Sequence, residues 1–179
     1  MANPRLMLFS LAACAQLTAV CRPAERLLDD ATVFPALAGQ GQFELRAIEP
    51  RIQKVVVNFF APDCPPCEKE IPALKLFYSA HAGEKDFLFV SIGSSLKAVG
   101  TGDTTKAPTD AEIRAELVQF ASRFALDYPQ YVAGTFELAS WRVTGFPETF
   151  IFVRDATAWK LKRKFISEIT RENLENELK

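Results

Sequence analysis

Two cysteines three positions apart, with only prolines between them, end the stretch Asn58-Phe-Phe-Ala-Pro-Asp-Cys64-Pro-Pro-Cys67. A Cys-x-x-Cys that opens a helix after a buried strand has a specific chemical consequence. With Cys64 as N-cap, its sulfur sits where unpaired backbone N–H groups and the helix dipole stabilise negative charge. Its pKa falls, and a thiolate nucleophile forms near neutral pH. Cys67, one turn inside the helix, is placed to close a disulfide with Cys64 or to resolve a mixed one. Pro65 suits the first helical position. Pro66 lacks an N–H, so the Cys67 amide is the main donor left for Cys64, and a less stabilised thiolate makes a less oxidising pair. The other fates of two such thiols are metal binding and inert burial. Tetrahedral zinc takes four ligands, and beyond this pair the chain offers one histidine, His81, and the cysteines Cys14 and Cys21. A copper site built from the two thiols and His81 is the metal alternative; otherwise His81 reads as a cation at a helix C-terminus.

The elements around the pair follow from periodicity. Lys54–Phe60 (KVVVNFF) is the continuous apolar run of a buried central strand. From Cys64 to about His81, Ile71, Leu74, Phe77 and Tyr78 fall at helical spacing. Asp86–Ile92 predicts a second buried strand, and Gln42–Ile48 alternates as a strand should. The Gly-, Ser- and Thr-rich stretch 94–108 is the longest loop, either functional or mobile. Asp110–Leu126 reads as an amphipathic helix with Ile113, Leu117, Phe120 and Phe124 on one stripe. A short strand is expected over 128–133 and a short helix over 136–142. Glu148–Val153 and Leu161–Ile166 predict a hairpin, the basic "KLKRK" suiting an exposed edge. A closing helix from Thr170 buries Leu174 and Leu178. Strands alternating with helices, then a terminal hairpin and helix, predict an α/β fold: a central mixed sheet flanked by helices.

The amino terminus differs from the rest. In residues 1–21, Arg5 precedes the apolar run Leu6–Ala15, and small residues follow, as in an export signal. Leu11-Ala-Ala-Cys14 looks like a bacterial lipobox, which would make Cys14 the lipid-modified residue. An ordinary signal, cleaved after Ala15 or left uncleaved, a cysteine anchor at Cys21, and no export at all are the alternatives. One acyl anchor in place of a span would hold the domain on a membrane outside the cytosol. Residues 22–40, with Pro23, Pro35 and Gly39, read as a tether containing a short helix, leaving 41–179 as one domain. The 179 residues suit a single core, and a net charge of -1 carries no basic field for nucleic acid. No apolar run reaches the roughly 18 residues of a membrane span.

Val55-Val-Val-Asn-Phe-Phe-Ala-Pro-Asp-Cys-Pro-Pro-Cys-Glu-Lys-Glu-Ile-Pro-Ala-Leu74, followed by Val143-Thr-Gly-Phe-Pro-Glu-Thr-Phe-Ile-Phe152, resembles the membrane-tethered thioredoxin-like proteins of the TlpA/ResA/DsbE group. The resemblance covers about residues 40–179. It implies a thioredoxin-like fold with an amino-terminal strand extension, and a strand-and-helix insertion in the long interval between Cys67 and Pro147. It also implies a cis Phe146–Pro147 bond facing the thiols. The implied activity is thiol–disulfide oxidoreduction without a cofactor, with Cys64 attacking, Cys67 resolving and Pro147 presenting backbone to a partner strand. The implied partners are exported protein thiols and disulfides, apocytochrome c among them, and a membrane electron donor on the periplasmic side. A disulfide oxidase or isomerase of the same fold is the alternative within the family. Glu70 matches an acid that the group carries just after its second cysteine and that serves the buried thiol's proton; a first-turn helix acid is its plainer reading. Asn58 stands where thioredoxin has a buried acid. Asp63 replaces the usual tryptophan, and its carboxylate should oppose thiolate formation. Pro72 is expected to kink the helix, as it does in relatives.

Overall fold

The computed structural model describes residues 28–99 and 108–179. The expected signal segment with Cys14 and Cys21, the first part of the tether, and residues 100–107 of the long loop lie outside the described residues.

Strand β3 (Lys54–Phe60) is buried at every position after Lys54, as its run of valines and phenylalanines requires. It forms the middle of a five-stranded sheet ordered β5-β4-β3-β6-β7, with β4 (Phe87–Gly93), β5 (Gln130–Val132), β6 (Glu148–Asp155) and β7 (Ala158–Ile166). β3 and β4 run parallel with Asn58 opposite Ser91, and β3 and β6 run antiparallel with Asn58 opposite Thr149. These two pairings bring three polar side chains to one level of an otherwise apolar sheet. β6 and β7 form the expected hairpin, with a bulge beside Ile151 and Phe152, and the basic β7 is an edge strand.

The even positions of β3 face helix α1 (Pro65–His81). There Val56, Leu74, Phe77 and Phe89 pack with Ile151 and with Leu174 of α4 (Arg171–Leu178). Further along, Phe60 and Ile71 meet Ile113 and Leu117 of α2 (Asp110–Phe124). α2 comes so close to the sheet that a Cβ on Gly93 would lie 2.3 Å from the Leu117 side chain. The odd positions Val55, Val57 and Phe59 pack on the opposite face with Leu138 of α3 (Thr135–Ser140), Trp141, Phe150 and Phe152. Helices therefore flank a mixed sheet, the architecture expected from the sequence.

Two expectations change. Gln42–Ile48 is not one strand: β2 is Gln42–Phe43 only, and Leu45–Ala47 turn as a 3-10 helix. The described part of the tether belongs to the core. Phe34, in strand β1 (Phe34–Pro35), pairs antiparallel with Phe43 and is fully buried. Its ring meets Trp141 edge-on at 5.3 Å, and the Trp141 indole N–H donates to the Asp29 carbonyl at 3.1 Å. The apolar face of the sheet opposite α1 needs a cover, and this extension supplies it together with α3.

Candidate active site

The turn before α1 is made by Asp63, whose φ of 55° lies in the left-handed region that Asp tolerates better than most residues. That turn lets Cys64 adopt the extended N-cap conformation. Cys64 Sγ accepts the Cys67 N–H at 3.3 Å, while its carbonyl takes the Glu68 N–H at 3.1 Å. Pro65 and Pro66 fill the first two helical positions and offer no N–H. The Cys67 amide is thus the donor available to the sulfur, as the spacing predicts. The Asp63 side chain is exposed, so water screens its charge from the sulfur more than the sequence alone suggests.

Cys64 and Cys67 are joined as a disulfide with their Cα atoms 5.2 Å apart. They are 3% and 1% exposed, packed with Phe60, Ile71, Ile113 and Phe120. Phe146 packs against this same cluster, which brings the loop before β6 to the cysteines, and the Phe146–Pro147 bond is cis. The loop is held from several sides. The Pro147 carbonyl accepts the Ser167 N–H at 3.1 Å. Glu148, fully buried, accepts the Thr144 N–H at 3.0 Å and the Thr144 hydroxyl, and pairs with Lys164 Nζ at 2.8 Å. Lys164 also donates to the Arg142 carbonyl at 2.9 Å. Ser167 occupies the Pro147 carbonyl, while the Phe146 N–H and carbonyl have no hydrogen-bond partner among the described residues.

Glu70 lies three residues after Cys67 on α1, so the two share a helix face. Its side chain is not at the surface, where a first-turn acid would serve the dipole, but only 2% exposed. One carboxyl oxygen accepts Asn58 Nδ2 at 2.8 Å and the other accepts the Ile169 N–H at 3.1 Å. The same Asn58 amide donates to Thr149 Oγ1 at 3.1 Å, and its carbonyl accepts the Ser91 hydroxyl at 3.2 Å. Burial pushes the Glu70 carboxyl up to about 7; the hydrogen bonds from Asn58 and Ile169 oppose the rise, and the charge of Glu168 adds to it. The Glu70 carboxyl thus reaches the sheet from the facing helix, and Asn58 holds it in place. Asn58 and Glu148 were detectable in the sequence as polar residues within apolar runs, which must find partners when buried; the identity of those partners was not.

His81 is at the far end of α1, about 25 Å from Cys64 at 1.5 Å per residue. Its ring nitrogens meet Glu84 at 2.7 Å and Glu175 at 3.1 Å, so the copper site of two thiols and His81 does not form. Pro72 lies inside α1, where it lacks the N–H that would meet the Glu68 carbonyl.

Several solved structures share this architecture. StoA from Bacillus subtilis is 18% identical with a TM-score of 0.59, covering 83% of this chain and 98% of its own. A secreted Mycobacterium tuberculosis disulfide oxidoreductase, homologous to E. coli DsbE, is 17% identical with a TM-score of 0.60, covering 87% and 97%. The thioredoxin-related protein from Neisseria meningitidis serogroup B is 15% identical with a TM-score of 0.58, covering 81% and 95%. At these identities the likeness establishes the thioredoxin-like fold. No curated protein matches the sequence significantly. The Redoxin family model matches residues 32–178, from the extension through α4, and with both cysteines inside that span the chain belongs to the Redoxin family of oxidoreductases.

Proposed function

We propose that this thiol–disulfide oxidoreductase reduces disulfides of exported polypeptides, using Cys64 as nucleophile and Cys67 as resolving thiol. The observation that carries the reading is the Cys64–Cys67 pair at the α1 N-terminus, with the Cys67 amide on the Cys64 sulfur. In the reduced protein the Cys64 thiolate attacks one sulfur of a partner disulfide. A mixed disulfide forms, and the partner's other sulfur leaves as a thiolate. Cys67 then gives up its proton and attacks Cys64 Sγ, which releases the partner's second thiolate and leaves the Cys64–Cys67 disulfide. Two electrons pass to the partner. Glu70 is the group suited to take the Cys67 proton, because a carboxyl that titrates near 7 changes state at working pH. Pro147 shapes the loop, and the Phe146 N–H and carbonyl are available to pair with the partner's extended backbone.

The family resemblance points to apocytochrome c thiols as the substrate and to a membrane electron donor that reduces the pair again. The Leu11–Cys14 pattern supports a lipid anchor on Cys14 at the periplasmic side of a membrane. The test is a trap. Cys67→Ser should accumulate mixed disulfides through Cys64 with exported proteins, among them apocytochrome c, and Cys64→Ser should accumulate none. Adducts formed by Cys64→Ser and not by Cys67→Ser would reverse the two roles; adducts from neither would end the reading.

A further inference from the structure

On the face of the sheet away from the cysteines, a cavity of about 440 Å³ opens between the amino-terminal extension and β7. None of the residues packed around the disulfide lines it. Its walls are aromatic: Trp141, Phe150, Phe152 and Trp159. The volume and the apolar lining are those of a small-molecule site, which also needs a few placed polar groups to orient its ligand. Three observations give their sign. The Trp159 indole nitrogen is buried and has no acceptor among the described residues. An indole offers only a donor, so the missing partner is an acceptor. Arg142 also lines the cavity and has no acidic partner among the described residues. Lys164 is already held by Glu148, and the one acid on the wall, Asp30, acts on Arg46.

We propose that this cavity binds an aromatic carboxylate. Its ring would lie among the four aromatic walls, and its carboxylate would accept from the Trp159 N–H and pair with Arg142. Trp159 is stiffened for this by Arg154, whose guanidinium lies 4.1 Å from its ring centroid on hydrogen bonds to the Ile48 and Ile52 carbonyls. The site is separate from thiol exchange and stands whether or not Cys64 attacks a partner.

The chain has two tryptophans, so the indole N–H region of a ¹⁵N-correlated proton spectrum holds two peaks. Trp159→Phe assigns them. Titrating the full chain with naphthalene-1-carboxylate should move the Trp159 peak saturably. The Trp141 N–H, already bonded to Asp29, should move little. Naphthalene-1-methanol, of the same shape but uncharged, should bind at least about tenfold more weakly, the least that losing one charged hydrogen bond implies. Arg142→Gln should shrink that preference while the backbone amide peaks keep their dispersion. Equal binding of the alcohol and the carboxylate, movement of the Trp141 peak alone, or no saturation by about 10 mM would each overturn the proposal.

Discussion

Glu70 turns its carboxyl group into the sheet, and this decides how pH acts on the protein. The group has an ordinary value of 4.5, and burial raises it to about 7 in the fold. An unfolded chain therefore releases this proton at lower pH than the folded one. The stability tied to the bound proton is complete below pH 4.5 and is lost as pH rises through about 7, a loss on the order of 3 kcal/mol. Glu70→Gln cannot ionise, so its unfolding free energy should escape that part of the decline. Urea unfolding of the disulfide form at pH 4.5 and pH 7.5 measures the difference; a gap between wild type and variant that stays constant would mean that Glu70 keeps no proton. If Glu70 also serves the Cys67 thiol, the pH profile of mixed-disulfide resolution should bend near 7 in the wild type and lose that bend in the variant. An identical profile would leave Glu70 a structural role only. The family resemblance pointed to Glu70. What makes it unusual, its shared contact with Asn58 and the Ile169 amide, joins residues 12 and 99 positions apart and could not be read along the chain.

Among the elements, the amino-terminal extension is where the sequence was least legible. β3, α1, β6 and β7 announce themselves through long runs with one period, and their observed bounds fall close to the expected ones. Phe34 has no such run: it stands alone between Val33 and Pro35, followed by a stretch that contains Gly39 and Gly41. What fixes its place is the uncovered apolar face of a sheet formed by later residues. The Gln42–Ile48 stretch failed differently. Phe43 and Leu45 are both buried, and a bridge followed by a 3-10 turn meets that pattern as well as a strand does. The packing predicts that Phe34→Ala destabilises the protein by about 3–5 kcal/mol, as removal of a buried aromatic ring does. Chemical denaturation would read this directly. A loss below about 1 kcal/mol would return residues 28–40 to the status of a tether.

For the molecule as a whole, two questions are where it stands and which way its electrons flow. If Cys14 carries the anchor, Cys14→Ser should lose acyl labelling and release the domain from the membrane fraction; labelling that persists would move the anchor to Cys21. The direction of flow follows from what surrounds the Cys64 sulfur. The helix dipole stabilises its thiolate, but every member of the fold shares that dipole. What differs here is the number of donors: the two prolines leave the Cys67 amide. A thiolate with fewer donors lies higher in energy, the reduced state is less favoured, and the pair gives up electrons more readily. The potential should lie nearer the thioredoxin value of about −270 mV than the value of about −120 mV of a strong periplasmic oxidant. The same reasoning makes the proline itself testable. Pro66→Ala restores an N–H at the second helical position, where an N-cap can accept it. One hydrogen bond to a charged group contributes about 1.5–3 kcal/mol, so the potential should rise by up to roughly 30–60 mV. Equilibrating both proteins against glutathione or dithiothreitol buffers gives the two numbers. A wild-type potential above about −180 mV, the isomerase value, would favour an oxidase or isomerase. A Pro66→Ala potential equal to the wild type's would show that the missing amide does not set the direction of electron flow.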